Sequence, residues 1–208
     1  MATLPGLPAD FAAALELIDA AHAEDPKLVP SQDGTETTLP RELHYARNMT
    51  RWLAVRCPDA SPTLQLACRA QHFRRWEIPR DSFPMTRAGY LTWRAKQKTQ
   101  AAERIKALLT NSSPPLATGD VDRVAALVRK EDLAGDAETQ VLEDVACLVF
   151  LDDQLDDFGK RDDVDEDKMV NILRKTWAKM SAQGREIALG MRLSERAKTL
   201  VDKALAES

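Results

Sequence analysis

Two histidines, each within an arginine-rich stretch, are the residues of this chain best suited to chemistry. His44 lies in RELHYARNMTRW and His72 in ACRAQHFRRWEIPR, while Glu143 and Asp144 precede the apolar stretch VACLVFL. Imidazole and carboxylate groups are common ligands of divalent metals, and guanidinium groups bind phosphate oxygens through paired hydrogen bonds. These residue types therefore predict a site for a metal, a phosphate group or both.

Helical spacing places one histidine among groups that bind anions. His44, Arg47, Asn48 and Arg51 follow the i, i+3, i+4, i+7 pattern and so share one face of a predicted helix. An imidazole, an amide and two guanidinium groups on one face favour a surface that holds an anion. The alternative is that the histidine is a half-buried helix residue with a hydrogen-bonded ring.

The second histidine is followed directly by two more guanidinium groups. His72 is predicted to share a helix face with Gln65 and Arg69, and Arg74 and Arg75 come next in the chain. We expect these arginines, together with Lys130, to neutralise a bound phosphate.

The distribution of charge supports a phosphate-directed site. Residues 41–106 carry 14 basic and 5 acidic side chains, a net charge of +9, although the whole chain has a net charge of −4. Residues 1–40 have a net charge of −6 and residues 131–208 a net charge of −8. A local positive field attracts phosphate-bearing ligands. Pairing of the arginines with the chain's own acidic segments explains the same asymmetry, and both interpretations stay open.

The elements that must position these residues are predicted to be helices. Ala, Leu, Arg, Glu and Lys are abundant, Gly is scarce, and no segment alternates convincingly like a strand, so the fold class is all-α. Loops are predicted at residues 25–39, 78–85 and 111–119, where Pro, Gly and small polar residues cluster. The predicted helices cover residues 8–24, 40–57, 61–76, 86–109, 120–130, 137–158, 165–180, 184–191 and 195–206.

The length and composition fit one domain over residues 1–208. The candidate site would lie in residues 41–158, and residues 165–206 would form a helical C-terminal extension. We expect no membrane span, because the longest apolar run is far shorter than the ~20 residues that a span needs. There is no recognisable secretory signal and no CxxC pair among the three cysteines, so a cytoplasmic protein is expected.

The order of these segments resembles that of the HD-domain phosphohydrolases. In that superfamily a first His, a His-Asp doublet and a distant Asp bind divalent metals. The resemblance assigns the metal ligands to His44, His72 and Asp144 and implies an HD-domain-like fold. Phe73 stands where the Asp of the doublet should be, which leaves three ligands for a single divalent metal ion.

A more specific similarity covers nearly the whole chain. The motifs LHYARNMTRW, RAQHFRRWEIPR, GYLTWR, KEDL and EDVACLVFLDDQ resemble an uncharacterised family known as domain of unknown function 4202. This resemblance supports a single domain and implies no activity.

Two functions follow as hypotheses. The first is a metal-dependent phosphohydrolase acting on a nucleotide or another phosphate ester. Its metal would activate a water molecule, and Glu143 or Glu131 would move protons. The second is a non-catalytic helical module that binds a nucleotide or RNA through a basic pocket, which Phe73 favours. The oligomeric state is not predicted.

Two further motifs have competing interpretations. Asp152, Asp153, Asp156 and Asp157 form a DDxxDD pattern, which isoprenoid synthases use to hold magnesium and diphosphate, but a solvated helix end explains it more simply. In GYLTWR, the aromatic pair that precedes Arg94 could stack on a base or belong to the core.

Overall fold

A computed structural model of the chain describes residues 2–31, 38–155 and 165–206. It is mostly helical, as predicted. None of the helices in these ranges is long and apolar enough to cross a membrane. The described α-helices are α1 (Ala9–His22), α2 (Arg41–Arg56), α3 (Pro62–Arg69), α4 (Arg87–Thr110), α5 (Thr118–Arg129), α6 (Ala137–Val149), α7 (Glu166–Lys179), α8 (Ala182–Leu189) and α9 (Glu195–Ala206).

A small antiparallel hairpin leads into α2, where the sequence predicted only a loop. Strands β1 (Leu28–Pro30) and β2 (Thr38–Pro40) pair so that Val29 lies opposite Leu39. The prolines in both segments argued against predicting strands, because a proline cannot donate a hydrogen bond to a strand ladder. The prediction of no strand was therefore wrong.

Three of the predicted helix caps are confirmed. Ser61, Asp165 and Ser194 each accept a hydrogen bond from the backbone N–H three residues further on, at 3.1, 2.8 and 3.1 Å. Asp120 does not cap its helix, since α5 starts two residues earlier with Ala117 at the N-cap. The capping signals thus located most helix starts to within a turn.

The helix predicted over residues 61–76 ends early. The last residue of α3 is Arg69, and the chain then reverses through His72 and Arg74, which have positive φ angles of 68° and 53°. Short 3-10 turns at Arg75–Glu77 and Arg80–Ser82 lead to α4. His72 therefore lies in a turn and not on a helix face with Gln65.

The helix predicted over residues 137–158 is not α-helical throughout. It is α-helical to Val149 and continues as a π-helical turn over Phe150–Gln154. Residues 156–158 lie outside the described part of the chain. A π-helical turn shifts the side chains that follow it and often occurs at functional sites.

The buried apolar residues form two clusters that meet along α6. The first cluster joins α1 to α6 through residues such as Ile18, Met49 and Ile105. The second joins the end of α6 to α7, α8 and α9 through residues such as Leu148 and Met169. The cavity described next borders the first cluster, which includes its lining residues Ala101 and Val128.

Candidate functional site

A cavity with positively charged walls lies between the turn after α3, helix α4 and the C-terminal end of α5. The space among its lining atoms, with open solvent included, is about 460 Å³. We call it the basic cavity. Its polar lining residues are Gln71, His72, Arg75, Arg94, Gln97, Lys98 and Lys130, and Trp93, Ala101 and Val128 supply its apolar surface.

One face of α4 forms a whole wall of the basic cavity. Arg94, Gln97, Lys98 and Ala101 follow the i, i+3, i+4, i+7 spacing and all line it. Packing of α4 against α5 brings Lys130 to the same cavity. The same spacing rule that was applied to the second predicted helix could have identified this face from the sequence.

A buried contact between His22 and Glu42 holds the turn that carries Arg75. The carboxylate of Glu42 accepts hydrogen bonds from the backbone N–H groups of Arg74 and Arg75 at 2.8 and 2.6 Å. Nδ1 of His22 lies 2.7 Å from the same carboxylate, and Nε2 of His22 lies 2.9 Å from the carbonyl oxygen of Arg69. Burial raises the pKa of Glu42, against the opposing effect of His22. Neither His22 nor Glu42 belongs to a recognisable motif, so no site role was predicted for them from the sequence.

His72 contributes a neutral ring to the cavity wall. Its imidazole stacks on the ring of Tyr45, with centroids 4.4 Å apart and an angle of 18° between the planes. Burial first, and then the positive charges of Arg75 and Lys130, hold the pKa of His72 well below its usual value. Because the ring is neutral near pH 7, it can offer one donor and one acceptor to a ligand.

The positive charge of the cavity is poorly balanced. Among the residues that the structure describes, no carboxylate forms an ion pair with Arg75, Arg94 or Lys98. The guanidinium group of Arg75 lies 4.6 Å from the ring centroid of Trp93. Burial and then the charges of Lys130 and Arg94 lower the pKa of Lys98. Arg75, Arg94 and Lys98 therefore repel one another, and the charge of Glu143 offsets this repulsion only in part, at Lys98, without forming an ion pair with it.

Lys130 is the lining cation that does have a carboxylate partner. Its Nζ pairs with Oε2 of Glu143, and both side chains are only 9% exposed. Lys179 approaches the other carboxylate oxygen at 3.8 Å. Burial alone would raise the pKa of Glu143, but the lysines outweigh it and lower the pKa. Of the site residues predicted from sequence, the structure therefore brings together His72, Arg75 and Lys130, with Glu143 directly behind them.

His44 lies in a different cluster and does not line the basic cavity. Its Nε2 is 2.7 Å from Oδ1 of Asp153 and 3.0 Å from Nδ2 of Asn48. Arg51 pairs with Asp152, which lies in the same π-helical turn as Asp153. Arg51 also donates a long hydrogen bond to the amide oxygen of Asn48. The face of α2 that was predicted to bind a phosphate thus binds carboxylates of the chain itself.

Three other predicted site residues also lie away from the cavity lining. Arg47 is exposed on α2. Arg74 pairs with Glu24. Glu131 is half exposed and pairs with its neighbour Arg129, so it is not placed to move a proton in the cavity.

Asp144 has a structural role. Its carboxylate is fully buried and accepts hydrogen bonds from Nε of Arg56 at 2.8 Å and Nε2 of Gln140 at 3.0 Å. It also accepts from the backbone N–H and Oγ of Ser181, at 2.8 and 2.5 Å. These four donors occupy its oxygens and tie α6 to the start of α8, which differs from the predicted role of a metal ligand.

The three predicted metal ligands do not come together. Within residues 2–31, 38–155 and 165–206, no group of three or more His, Cys, Asp or Glu side chains could hold a metal ion. His44, His72 and Asp144 have the separate surroundings described above, so they do not fit a shared single-metal site. In the DDxxDD pattern, Asp156 and Asp157 lie outside the described residues.

Comparison with curated proteins and with solved structures finds no match. The likeness to HD-domain proteins therefore stays a prediction. A family model with the description "Domain of unknown function (DUF4202)" matches residues 12–201. This match spans nearly the whole chain, including most of both core clusters and every residue that lines the basic cavity. The chain belongs to the DUF4202 family.

Proposed function

We propose that this protein binds a small phosphate ester in the basic cavity. The observation that carries the proposal is the set of lining cations without a described carboxylate partner: Arg75, Arg94 and Lys98. Bringing cations together in a partly buried space is costly unless an anion balances them. A phosphate group supplies up to two negative charges and several acceptor oxygens, which match guanidinium and ammonium donors.

The distribution of ion pairs favours a small ligand over an RNA strand. Outside the cavity, several arginines of the positive segment already have acidic partners: Arg51 pairs with Asp152, Arg56 with Asp144, Arg69 with Asp19 and Arg74 with Glu24. Arg75, Arg94 and Lys98 are cations without such a partner that share one cavity. RNA binding usually needs a positive groove that follows the backbone over several nucleotides.

Phosphate-ester hydrolysis stays a separate prediction. Glu143 lies beside the lining residue Lys130, which holds its charge in a buried pair. If Glu143 accepted a proton, the buried charge of Lys130 would be left without a counter-charge. Glu143 is therefore a weak base in this pair. The proposal therefore rests on binding, and release of phosphate from the same ligands tests the hydrolase prediction independently.

Lys98→Met is the central test, with Lys96→Met as its matched control on the same helix. Lys96 is exposed and does not line the cavity. In calorimetric titrations with pyrophosphate and with phosphate monoesters, we expect Lys98→Met to weaken binding about 10-fold, since hydrogen bonds to charged groups contribute about 1.5–3 kcal/mol. The Lys96→Met variant should bind like the parent protein.

The same variant gives a second readout that excludes misfolding as the cause. Because the folded state lowers the pKa of Lys98 below its usual value, the charged lysine costs stability at neutral pH. Lys98→Met should therefore raise the melting temperature by about 1–3 °C while it weakens binding. If none of the ligands binds the parent protein, or if both lysine variants bind equally, the proposed function is wrong.

A further inference from the structure

We propose that the ligand of the basic cavity is a phosphorylated sugar or polyol, whose hydroxyl groups are recognised by Gln71 and Gln97. This inference rests on the proposed function and extends it from the anionic part of the ligand to the remainder. Both glutamines line the cavity beside the cations.

Gln71 carries an acceptor that the protein leaves unused. Its side chain is 6% exposed, and its Oε1 is the sole buried side-chain oxygen or nitrogen in the described residues without a hydrogen-bond partner. Such an atom usually costs about 1–3 kcal/mol, so native proteins rarely keep one without a role. Because Gln71 is a lining residue of the cavity, we infer that a ligand donor supplies the missing partner.

Gln97 offers a second acceptor with a fixed orientation. Its Nε2 donates to the carbonyl oxygens of Arg75 and Ile78, at 3.0 and 2.7 Å. These two bonds determine which end of the amide is the nitrogen, because a carbonyl oxygen there would face two acceptors. The Oε1 atom of Gln97 accepts from no group in the described residues, and it remains for a ligand.

The phosphate group cannot satisfy these two oxygens. Phosphate oxygens are acceptors, as are the amide oxygens of Gln71 and Gln97, so the two kinds of oxygen repel each other. A ligand amine could donate, but its positive charge would be repelled by the lining cations. A hydroxyl group donates without a charge and can also accept from Arg94 or Lys98.

The aromatic surface of the cavity does not favour a nucleobase. Trp93 is the aromatic residue of the lining, apart from the ring of His72, and it is 7% exposed. Arg75 covers one face of its indole, and the indole Nε1 donates to the carbonyl oxygen of Ile78 at 2.9 Å. His72 is likewise stacked on Tyr45. Base recognition usually uses an open aromatic face, so a sugar or polyol fits this surface better.

A panel of phosphates, whose esters carry nearly the same charge, tests the inference on the whole 208-residue chain. The ligands are inorganic phosphate, propyl phosphate, glycerol 3-phosphate, ribose 5-phosphate and adenosine 5′-monophosphate, each titrated calorimetrically at one pH and salt concentration. We expect the two hydroxylated esters to bind about 10-fold more tightly than propyl phosphate, as two hydrogen bonds of ordinary net strength would give. Adenosine monophosphate should bind no more tightly than ribose 5-phosphate.

Gln71→Leu removes the unused acceptor and leaves the cations in place. The variant should lose most of the preference for hydroxylated esters while it binds propyl phosphate as the parent does. Gln71→Met is a second variant of similar volume, in case the branched side chain disturbs folding, and Gln100→Leu on α4 is the control outside the cavity lining.

The outcomes separate this inference from the proposed function. If no phosphate binds, both are wrong. If phosphates bind but propyl phosphate equals the hydroxylated esters, or if adenosine monophosphate binds best, the sugar or polyol assignment is wrong and anion binding stands. The assignment also fails if Gln71→Leu weakens all ligands equally, since the amide would then contact the phosphate.

Discussion

His72 combines a left-handed backbone with a neutral, stacked ring. Its φ of 68° is uncommon for any residue with a side chain, although His, Asn and Asp adopt it more often than others. The ring packs on Tyr45, and its burial, together with the nearby cations, keeps it uncharged. The backbone geometry and the electrostatics together make His72 a fixed, uncharged part of the cavity wall.

The depressed pKa of His72 predicts a specific loss of stability in acid. A group whose pKa is lower in the folded state contributes stability above its unfolded pKa, near 6.5, and that contribution is lost as the pH falls. We expect His72→Asn, which tolerates the left-handed backbone, to reduce the acid sensitivity of folding. The difference in the free energy of unfolding between the parent protein and the variant should change by at most about 1.4 kcal/mol for each pH unit below 6.5.

Urea unfolding from pH 7.5 to pH 5 measures this difference directly. His44→Asn is the matched control, because His44 lies outside the cavity and is paired with Asp153. Parallel pH profiles for the parent protein and His72→Asn would contradict a neutral His72.

Of the two histidines predicted from the sequence to form a site, only His72 lines the cavity. Helical spacing correctly placed His44, Asn48 and Arg51 on one face. It could not predict that Asp153, which lies 109 residues further on, would occupy that face. Local periodicity identifies which side chains are neighbours on an element, whereas the partner from a distant element depends on tertiary packing.

At the scale of elements, the C-terminal end of α5 is the most unusual. Lys130 has a φ of 57° at the position after the helix where glycine is preferred. A left-handed residue with a side chain costs about 1–2 kcal/mol. The cost is offset here because the lysine reaches the buried carboxylate of Glu143 and lines the cavity.

A double-mutant cycle separates backbone strain from the ion pair. Lys130→Gly relieves the strain but leaves Glu143 with only the more distant Lys179, so we expect this variant to be less stable by about 1–3 kcal/mol. In a Glu143→Gln background, the same change should instead stabilise the protein by about 1 kcal/mol. The free energy of unfolding in urea gives both values, and a Lys130→Gly effect of equal sign in both backgrounds would refute the assignment.

The helices were largely predictable, whereas the turns between them were not. Caps such as Ser61 and Asp165 marked helix starts, because a side-chain acceptor three residues before a backbone donor is a local feature. The end of α3 was missed because the reversal uses His72 and Arg74 in place of glycine. The face of α4 with Arg94 and Lys98 had a clear spacing signal, yet nothing in the sequence indicated which element it would face.

At the scale of the whole molecule, Asp144 joins the two core clusters. Its carboxylate takes donors from Arg56 on α2 and from Ser181 at the start of α8. A fully buried carboxylate with four donors is stabilising only while all of them stay in place. The packing of α7, α8 and α9 against the first cluster should therefore be sensitive to small changes around Asp144.

A substitution at Gly184 tests the connection that Asp144 makes between the two core clusters, and it leaves the Asp144 carboxylate in place. A Cβ added at Gly184 would lie 2.6 Å from Cγ of Asp144, so alanine must displace a side chain that its donors hold. A glycine-to-alanine change inside a helix normally stabilises, by about 0.5–1 kcal/mol. We expect Gly184→Ala instead to destabilise the protein by about 2 kcal/mol, the usual cost of overpacking a core.

The site of that destabilisation should be the C-terminal cluster, with the basic cavity intact. Gly119→Ala is the control, because a Cβ there meets no atom within 4 Å. Limited proteolysis should cleave Gly184→Ala faster within α7, α8 and α9 than the control, while calorimetric binding of a phosphate ester is unchanged. Equal stability of the two variants would mean that Asp144 can move freely. Loss of ligand binding in Gly184→Ala would mean that the cavity depends on the second core cluster, although none of its described lining residues belongs to α7, α8 or α9.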